Sequence, residues 1–223
     1  MAVLNSIVDQ DEFWTYYTLR MDIKSLCGGL PTDPAMILAW QQKNWKESAK
    51  VGPDDPQTPE EAAERTLGYL EGVEPEKGWT TFPRRDGIFC VETRQIKAML
   101  KEAANIMKGL LPVKDKVIPL RSKLAERVFV SRTDPLIPIT PERTKPDRTI
   151  ERAIHVMTAQ GPRDALKRTD VLDEAHIECT LKVLNDGVFD DKMLVRLLNY
   201  AAENGFGADR SQGFGTFYYE LQR

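Results

Sequence analysis

Eleven residues near the C-terminus, Gly-Phe-Gly-Ala-Asp-Arg-Ser-Gln-Gly-Phe-Gly (205–215), place four glycines around an Arg-Ser pair. Glycine loses more backbone freedom on folding than any other residue. Four of them in one short segment therefore imply backbone angles closed to other residues, or close approach by another molecule. The flanking sequence narrows the fold. "HIECTLKVL" (176–184) sets Ile177, Cys179, Leu181 and Val183 against Glu178, Thr180 and Lys182, the alternation of a half-buried strand. "FDDKMLVRLLNYAAENG" then offers Asp190 or Asp191 as a cap, an apolar stripe of Met193, Leu194, Leu197, Leu198 and Ala201, and an Asn204-Gly205 stop. Beyond the glycines, "TFYYELQ" alternates Phe217, Tyr219 and Leu221 against Tyr218 and Glu220. The order is strand, helix, glycine-rich loop, strand.

A second strand-helix unit stands mid-chain. "GIFCVETRQIKAMLKEAANIMKG" (87–109) changes period, from a short apolar strand (Ile88 to Val91) to a helix carrying Ile96, Met99, Leu100, Ala103 and Ile106 or Met107 at helical spacing. Its cations Arg94, Lys97, Lys101 and Lys108 lie mostly on another face. Earlier, "EFWTYYTLRMDIKSL" (12–26) reads as the first strand, ending at Gly28-Gly29. Asp33 and Pro34 then open a helix with Met36, Ile37, Trp40 and Trp45 as its apolar side. "VGPDDPQTP" (51–59) is a loop, Thr58-Pro-Glu-Glu starts a second helix running to about Leu70, and "EGVEPEKGWTTFPRRDG" is again loop-like. Residues 27–80 thus read as an acidic insertion of helices and loops. "RVFVS" and "LIPIT" are short strands, "PERTKPDRTIER" (141–152) a basic loop, and "RAIHVMTAQGPRDALKRTDVL" two strands or a ribbon around Gly161-Pro162. These units suit a β-α-β-β-α-β ferredoxin-like (RRM-like) sheet, so the fold class is α+β, in one domain over 1–223.

Charge is unevenly distributed. Residues 1–80 hold 7 Lys/Arg against 14 Asp/Glu, 81–168 hold 19 against 10, and 169–223 hold 5 against 10. A basic centre between acidic ends can serve phosphate even where the total is slightly negative, or can scatter over a solvated surface. The three cysteines, Cys27, Cys90 and Cys179, are far apart and read as buried free thiols. His155 and His176 are isolated, so neither a metal site nor any cofactor is expected. No apolar run approaches a membrane span and the start, "MAVLNSIVDQDEF", lacks a signal-peptide pattern; a cytoplasmic protein with no membrane partner is expected.

The paired Gly-aromatic-Gly clusters, Gly205-Phe206-Gly207 and Gly213-Phe214-Gly215, sit five residues apart between a second helix and a last strand. In that place they resemble the C-terminal glycine-rich loop of the RAMP superfamily, the repeat-associated RNA-binding proteins of CRISPR effector complexes. "GIFCVETRQIKAMLKEAA" is similar to the strand and lysine-bearing helix that backbone-forming members place near the guide RNA. The resemblance covers about a third of the chain. It implies a single-stranded RNA partner, with single-stranded DNA not distinguished from it, and side-by-side assembly with copies of itself or related subunits. The 27–80 insertion and the acidic total charge depart from that pattern and point to a divergent or phage-encoded relative.

The residues agree with a backbone-binding role. Closely spaced glycines (Gly205, Gly207, Gly213, Gly215) expose N–H groups and admit a sugar-phosphate chain, while Arg210 can donate in bidentate fashion and Ser211 singly. Arg94, Lys97 and Lys101 on the helix, and Arg121, Lys123 and Arg152 in the basic stretch 121–152, extend the expected surface. A tight turn without ligand is the alternative for the loop. Phe206 and Phe214 read as core plugs rather than base-stacking platforms. A dinucleotide fingerprint is excluded by order, since it follows a strand and opens a helix. RNA-processing RAMP relatives are metal-independent endoribonucleases with a catalytic histidine. Here that role could fall only to His155, between cations Arg152, Arg163 and Lys167, or to His176, which reads as a structural strand residue. Target-cutting relatives use a loop aspartate, for which Asp33 and Asp86 are the conceivable positions. An RNA-binding subunit is the leading reading, with a structural assembly protein and an endoribonuclease as alternatives.

Overall fold

The computed structural model describes residues 13–45, 56–108, 119–130, 134–158 and 161–223. Lys46 and Glu47, the first part of the 51–59 loop, Gly109, Ser131 and the Arg163 side chain, all part of the sequence reading, lie outside the described residues.

The strand expected first is β1 (Trp14–Cys27). It pairs antiparallel on one side with β10 (Phe217–Gln222) and on the other with β9 (Gly161–Leu184). At its far end β9 also pairs antiparallel with β6 (Val128–Val130). The resulting order, β10-β1-β9-β6, is that of a ferredoxin-like sheet. Period-2 alternation accounts for its sidedness: Leu19, Met21 and Ile23 of β1 and Ile177, Leu181 and Val183 of β9 are almost wholly buried. Two helical connections cover that face. One is α3 (Thr93–Met107) followed by α4 (Leu120–Arg127); the other is α5 (Asp191–Asn204). Ile96, Met99, Leu100 and Ala103 of α3 and Leu194, Leu197, Leu198 and Ala201 of α5 join the sheet residues in one core. The Asp190 carboxylate caps α5 by accepting from the Met193 N–H at 2.8 Å.

Residues 27–80 carry the two expected helices, α1 (Pro34–Asn44) and α2 (Pro59–Gly68), which share a small core of Leu30, Ile37, Ala63 and Leu70. Asp33 caps α1 through the Ala35 N–H (3.0 Å), and Thr58 caps α2 through the Glu61 N–H (3.1 Å). The expected apolar side of α1 is only partly realised: Ile37 is buried, while Met36 and Trp40 are half exposed. Two short strands also occur where loops were expected. β2 (Leu30–Pro31) pairs with β3 (Trp79–Thr81), and β3 runs parallel to β9, beginning where β1 leaves off. Gly28 permits that join, because a Cβ there would lie 2.5 Å from the Thr81 carbonyl carbon.

Two further expectations are corrected. The strand at 88–91, β5 (Ile88–Glu92), does not enter the main sheet. It lies between β4 (Arg84–Arg85) and β7 (Leu136–Pro138) in a separate three-stranded sheet, with Asp86 and Gly87 forming the β4–β5 turn at positive φ. A short apolar strand satisfies either sheet, so periodicity alone could not choose. The basic loop expected over 141–152 is loop only to Asp147; β8 (Arg148–Thr158) follows and pairs with β9 from Arg148↔Val171 to Thr158↔Gly161, a long ribbon. The acidic ends meet the chain's own basic centre: Arg148 pairs with Asp173 at 3.0 Å, Lys167 with Asp209 at 2.6 Å, Arg168 with Glu76 at 3.0 Å, and Arg127 with Asp186.

Candidate nucleic-acid interface

The glycine-rich loop leaves α5 at Gly205 and enters β10 at Phe217. All four of its glycines have positive φ, from 80° to 87°, and Asp209 joins them at 53°. The loop folds onto itself and onto the end of β1. The Phe206 N–H donates to the Gly215 carbonyl (2.8 Å), the Gly215 N–H to the Ser25 carbonyl (2.8 Å), and the Ala208 N–H to the Cys27 carbonyl (3.3 Å). The N–H groups of Gly205, Gln212 and Gly213 also donate within the protein. Six amide groups of the loop are thus spent internally, among them those of Gly205, Gly213 and Gly215 that were expected to face a ligand, because the reversal of the chain needs them. The glycines answer first to backbone angle and to contact of the loop with itself.

Side chains fasten the loop on both flanks. Arg210 donates to Glu102 of α3 at 2.8 Å, and Glu102 also receives Asn204 at 3.3 Å. Lys167 of β9 holds Asp209. Phe206 is buried as expected, but Phe214 is not a core plug: its ring is half-buried, with the guanidinium carbons of Arg148 and Arg152 at 5.7 and 5.5 Å from its centroid. Cys27, beneath the loop, is pushed up to about 11 by burial, and Cys179 to about 12 by the same cause, so neither is a thiolate at neutral pH.

Beside the loop, α3 presents Arg94, Lys97, Ala98, Lys101, Glu102 and Asn105 along one stripe, spaced three and four apart. A groove of about 420 Å³ runs over these residues to Arg121 of α4. At Ala98 and Glu102 it joins a hollow of about 300 Å³ walled by Gly205, Gly207 and Arg210. Sequence reasoning therefore named residues that the fold brings together: Arg94, Lys97, Lys101, Arg121, Gly205, Gly207 and Arg210. Lys101 and Arg121 make no ion pair or hydrogen bond through their side chains among the described residues. The others are engaged: Arg94 pairs with Glu92, and Lys97 donates to the Leu124 and Ala125 carbonyls at 3.2 and 3.1 Å, closing the end of α4. Lys123 does not line the groove; Arg152 reaches the loop from its far side through Phe214, while Ser211 and Gly213 sit exposed at the loop tip. The acidic Glu102 in the stripe was missed, although its spacing eight residues after Arg94 made it legible.

The catalytic candidates lie elsewhere. His155 is on the ribbon, 86% exposed, and its Nδ1 meets the Asp164 carboxylate at 2.5 Å across the strands. The partner it finds is an acid rather than the expected cluster of cations. His176 pairs with Asp22 at 2.5 Å on the outer face of the main sheet, and its backbone exchanges hydrogen bonds with Thr140. Asp33 is a helix cap and Asp86 a turn residue. Among the described residues no group of three or more His, Cys, Asp or Glu side chains could hold a metal ion, and no helix is long and apolar enough to cross a membrane.

Comparison with protein-family models and with curated proteins finds no match. Among solved structures, the chain is similar to one described as "Cryo-EM structure of the Type III-B Cmr-beta bound to cognate target RNA". The identity is 12% and the TM-score 0.43, over 96% of this chain and 62% of that chain. This chain therefore spans less than two thirds of the length of that neighbour. The ferredoxin-like assignment rests on its own strand order.

Proposed function

We propose that this protein binds single-stranded RNA by its backbone, as a RAMP-like subunit of a CRISPR-effector-like ribonucleoprotein. The observation that carries the reading is the groove in which, among the described residues, Lys101 and Arg121 have no side-chain ion pair or hydrogen bond, opening onto the glycine-rich loop and Arg210. Cations left unpaired along a concave track suit a chain of phosphates, and such contacts position a strand without reading its bases. Single-stranded DNA offers the same phosphate track. Self-assembly is part of the proposal: the β8–β9 ribbon exposes Ile154 on one face and Leu166 on the other, apolar side chains that neighbouring subunits on either side can cover. The exposed pairing of His155 with Asp164, away from the groove, gives no support to a nuclease reading.

The test is fluorescence anisotropy of a labelled 20-nucleotide RNA across a salt series, with wild type and Lys101→Ala/Arg121→Ala. Tight, salt-sensitive binding that the double variant weakens supports the proposal. A folded wild type that binds neither RNA nor single-stranded DNA at low salt leaves the glycine loop as turn architecture and favours the assembly protein.

A further inference from the structure

Trp40 is the largest side chain left half exposed near the groove, at 51%, although the small α1–α2 core closes without it through Leu30, Ile37, Ala63 and Leu70. It overlooks two adjoining hollows of about 290 and 360 Å³, which share Trp40, Gln41, Thr66, Glu92 and Arg94. Tyr69 and Arg65 close the outer one, with the Arg65 Nε–H donating to the Tyr69 hydroxyl at 3.2 Å. Arg94 also lines the cationic groove, so the hollows continue that track from its N-terminal end on α3. The one carboxylate present, Glu92, is engaged by Arg94 and by the first turn of α3, and does not stand against an incoming anion as a bare charge.

We propose that this hollow is a nucleobase pocket, in which one base of the bound strand stacks on the Trp40 indole while the Gln41 amide, held by Thr66, faces its edge. The inference rests on the backbone-binding reading above and adds to it a place where the base itself is held. Three features converge on that occupant. An exposed indole offers a π-face to any base. The Thr66 hydroxyl donates to the Ala62 carbonyl (2.8 Å) and accepts from the Gln41 amide nitrogen (3.4 Å), which orients the amide and leaves its carbonyl oxygen and second N–H for a base edge; a phosphate has no use for that acceptor. Arg94, shared between hollow and groove, can meet the phosphate that joins the stacked nucleotide to the rest of the strand.

The probes are labelled 15-nucleotide oligo(U), oligo(A) and oligo(C), read by anisotropy over a salt series against wild type, Trp40→Ala, Trp40→Phe and Lys101→Ala/Arg121→Ala. Trp40→Ala is expected to weaken binding on the order of tenfold with the salt slope unchanged, because a stacking contact and no phosphate contact is lost. Trp40→Phe, which keeps an aromatic face, recovers most of the affinity. Binding should quench tryptophan fluorescence in wild type and less so in Trp40→Phe. Equal affinity and quenching in Trp40→Ala and wild type, with Lys101→Ala/Arg121→Ala impaired, overturns the pocket and leaves the backbone reading standing. A Trp40→Ala variant that binds RNA normally but loses self-association marks a protein contact and overturns it as well. A salt slope that falls as far in Trp40→Ala as in Lys101→Ala/Arg121→Ala shows a distorted groove and also sinks it. A wild type that binds no oligonucleotide removes both readings together.

Discussion

Gly215 lies against Phe206 so closely that a Cβ at position 215 would stand 1.9 Å from the Phe206 carbonyl oxygen. The same two residues share a hydrogen bond, from the Phe206 N–H to the Gly215 carbonyl. Gly215→Ala therefore meets backbone rather than a movable side chain, and adds the strain of positive φ. It should cost roughly 3 kcal/mol or more, in the range of severe backbone lesions. Gly213 has the same sign of φ but open space around it, so Gly213→Ala should cost only about 1–2 kcal/mol. Urea midpoints of the two variants check the contrast; equal losses would show that the loop closes differently.

Glu102 divides its carboxylate between Arg210 and Asn204 at the junction of groove and hollow. It is an anion on the track proposed for phosphate, and it engages a cation that phosphate could use. Glu102→Gln should therefore tighten RNA binding at low salt by roughly fivefold, about 1 kcal/mol, the scale of one charge pair at 4 Å in water. Weaker binding in this variant would mean that Glu102 acts mainly by orienting Arg210.

The C-terminal half was legible because its signals agreed at every level. The alternation of Ile177 to Val183, the Asp190 cap, the Leu194–Leu198 stripe and the Gly205 stop each fixed one element, and together they left one order. The strand at Ile88 was legible as a strand but not as a member of a particular sheet, since five apolar residues carry no record of their partner. The loop's glycines suit either room for a ligand or a tight turn, and their first use is the reversal that brings Gly215 to Phe206. That contact joins residues nine apart through backbone alone, which no side-chain pattern records. The stripe on α3 was half seen: its cations stood out, while Glu102 and Asn105 completed the same spacing unnoticed. Trp40 was assigned to a buried side because an aromatic at helical spacing usually is, and only packing shows that Ile37 suffices.

Asp173 accepts from Arg148 and from Ser25, and the Arg148 guanidinium holds its carboxyl below the ordinary carboxylate range. A carboxyl depressed in the folded state stabilises above its unfolded value of about 4, and that contribution is lost as pH falls through the lower folded value. Asp173→Asn should accordingly lower the urea midpoint at pH 7. The gap between variant and wild type should narrow steadily below about pH 4. A gap that stays constant down to pH 2 would show that Asp173 acts through shape rather than charge.

Lys101 and Arg121 provide the most direct measure of the track. Each phosphate that a single strand loses to a removed cation should lower the slope of log affinity against log salt by about 0.7. Lys101→Ala/Arg121→Ala should thus flatten the slope by about 1.4 if each side chain meets one phosphate. Lys97→Ala should behave differently. Its ammonium closes the end of α4, so its removal should lower the urea midpoint as well as affinity. The discriminating observation is a double variant with the melting behaviour of wild type and a flatter salt slope. A slope unchanged by losing both cations would place the strand elsewhere on the protein.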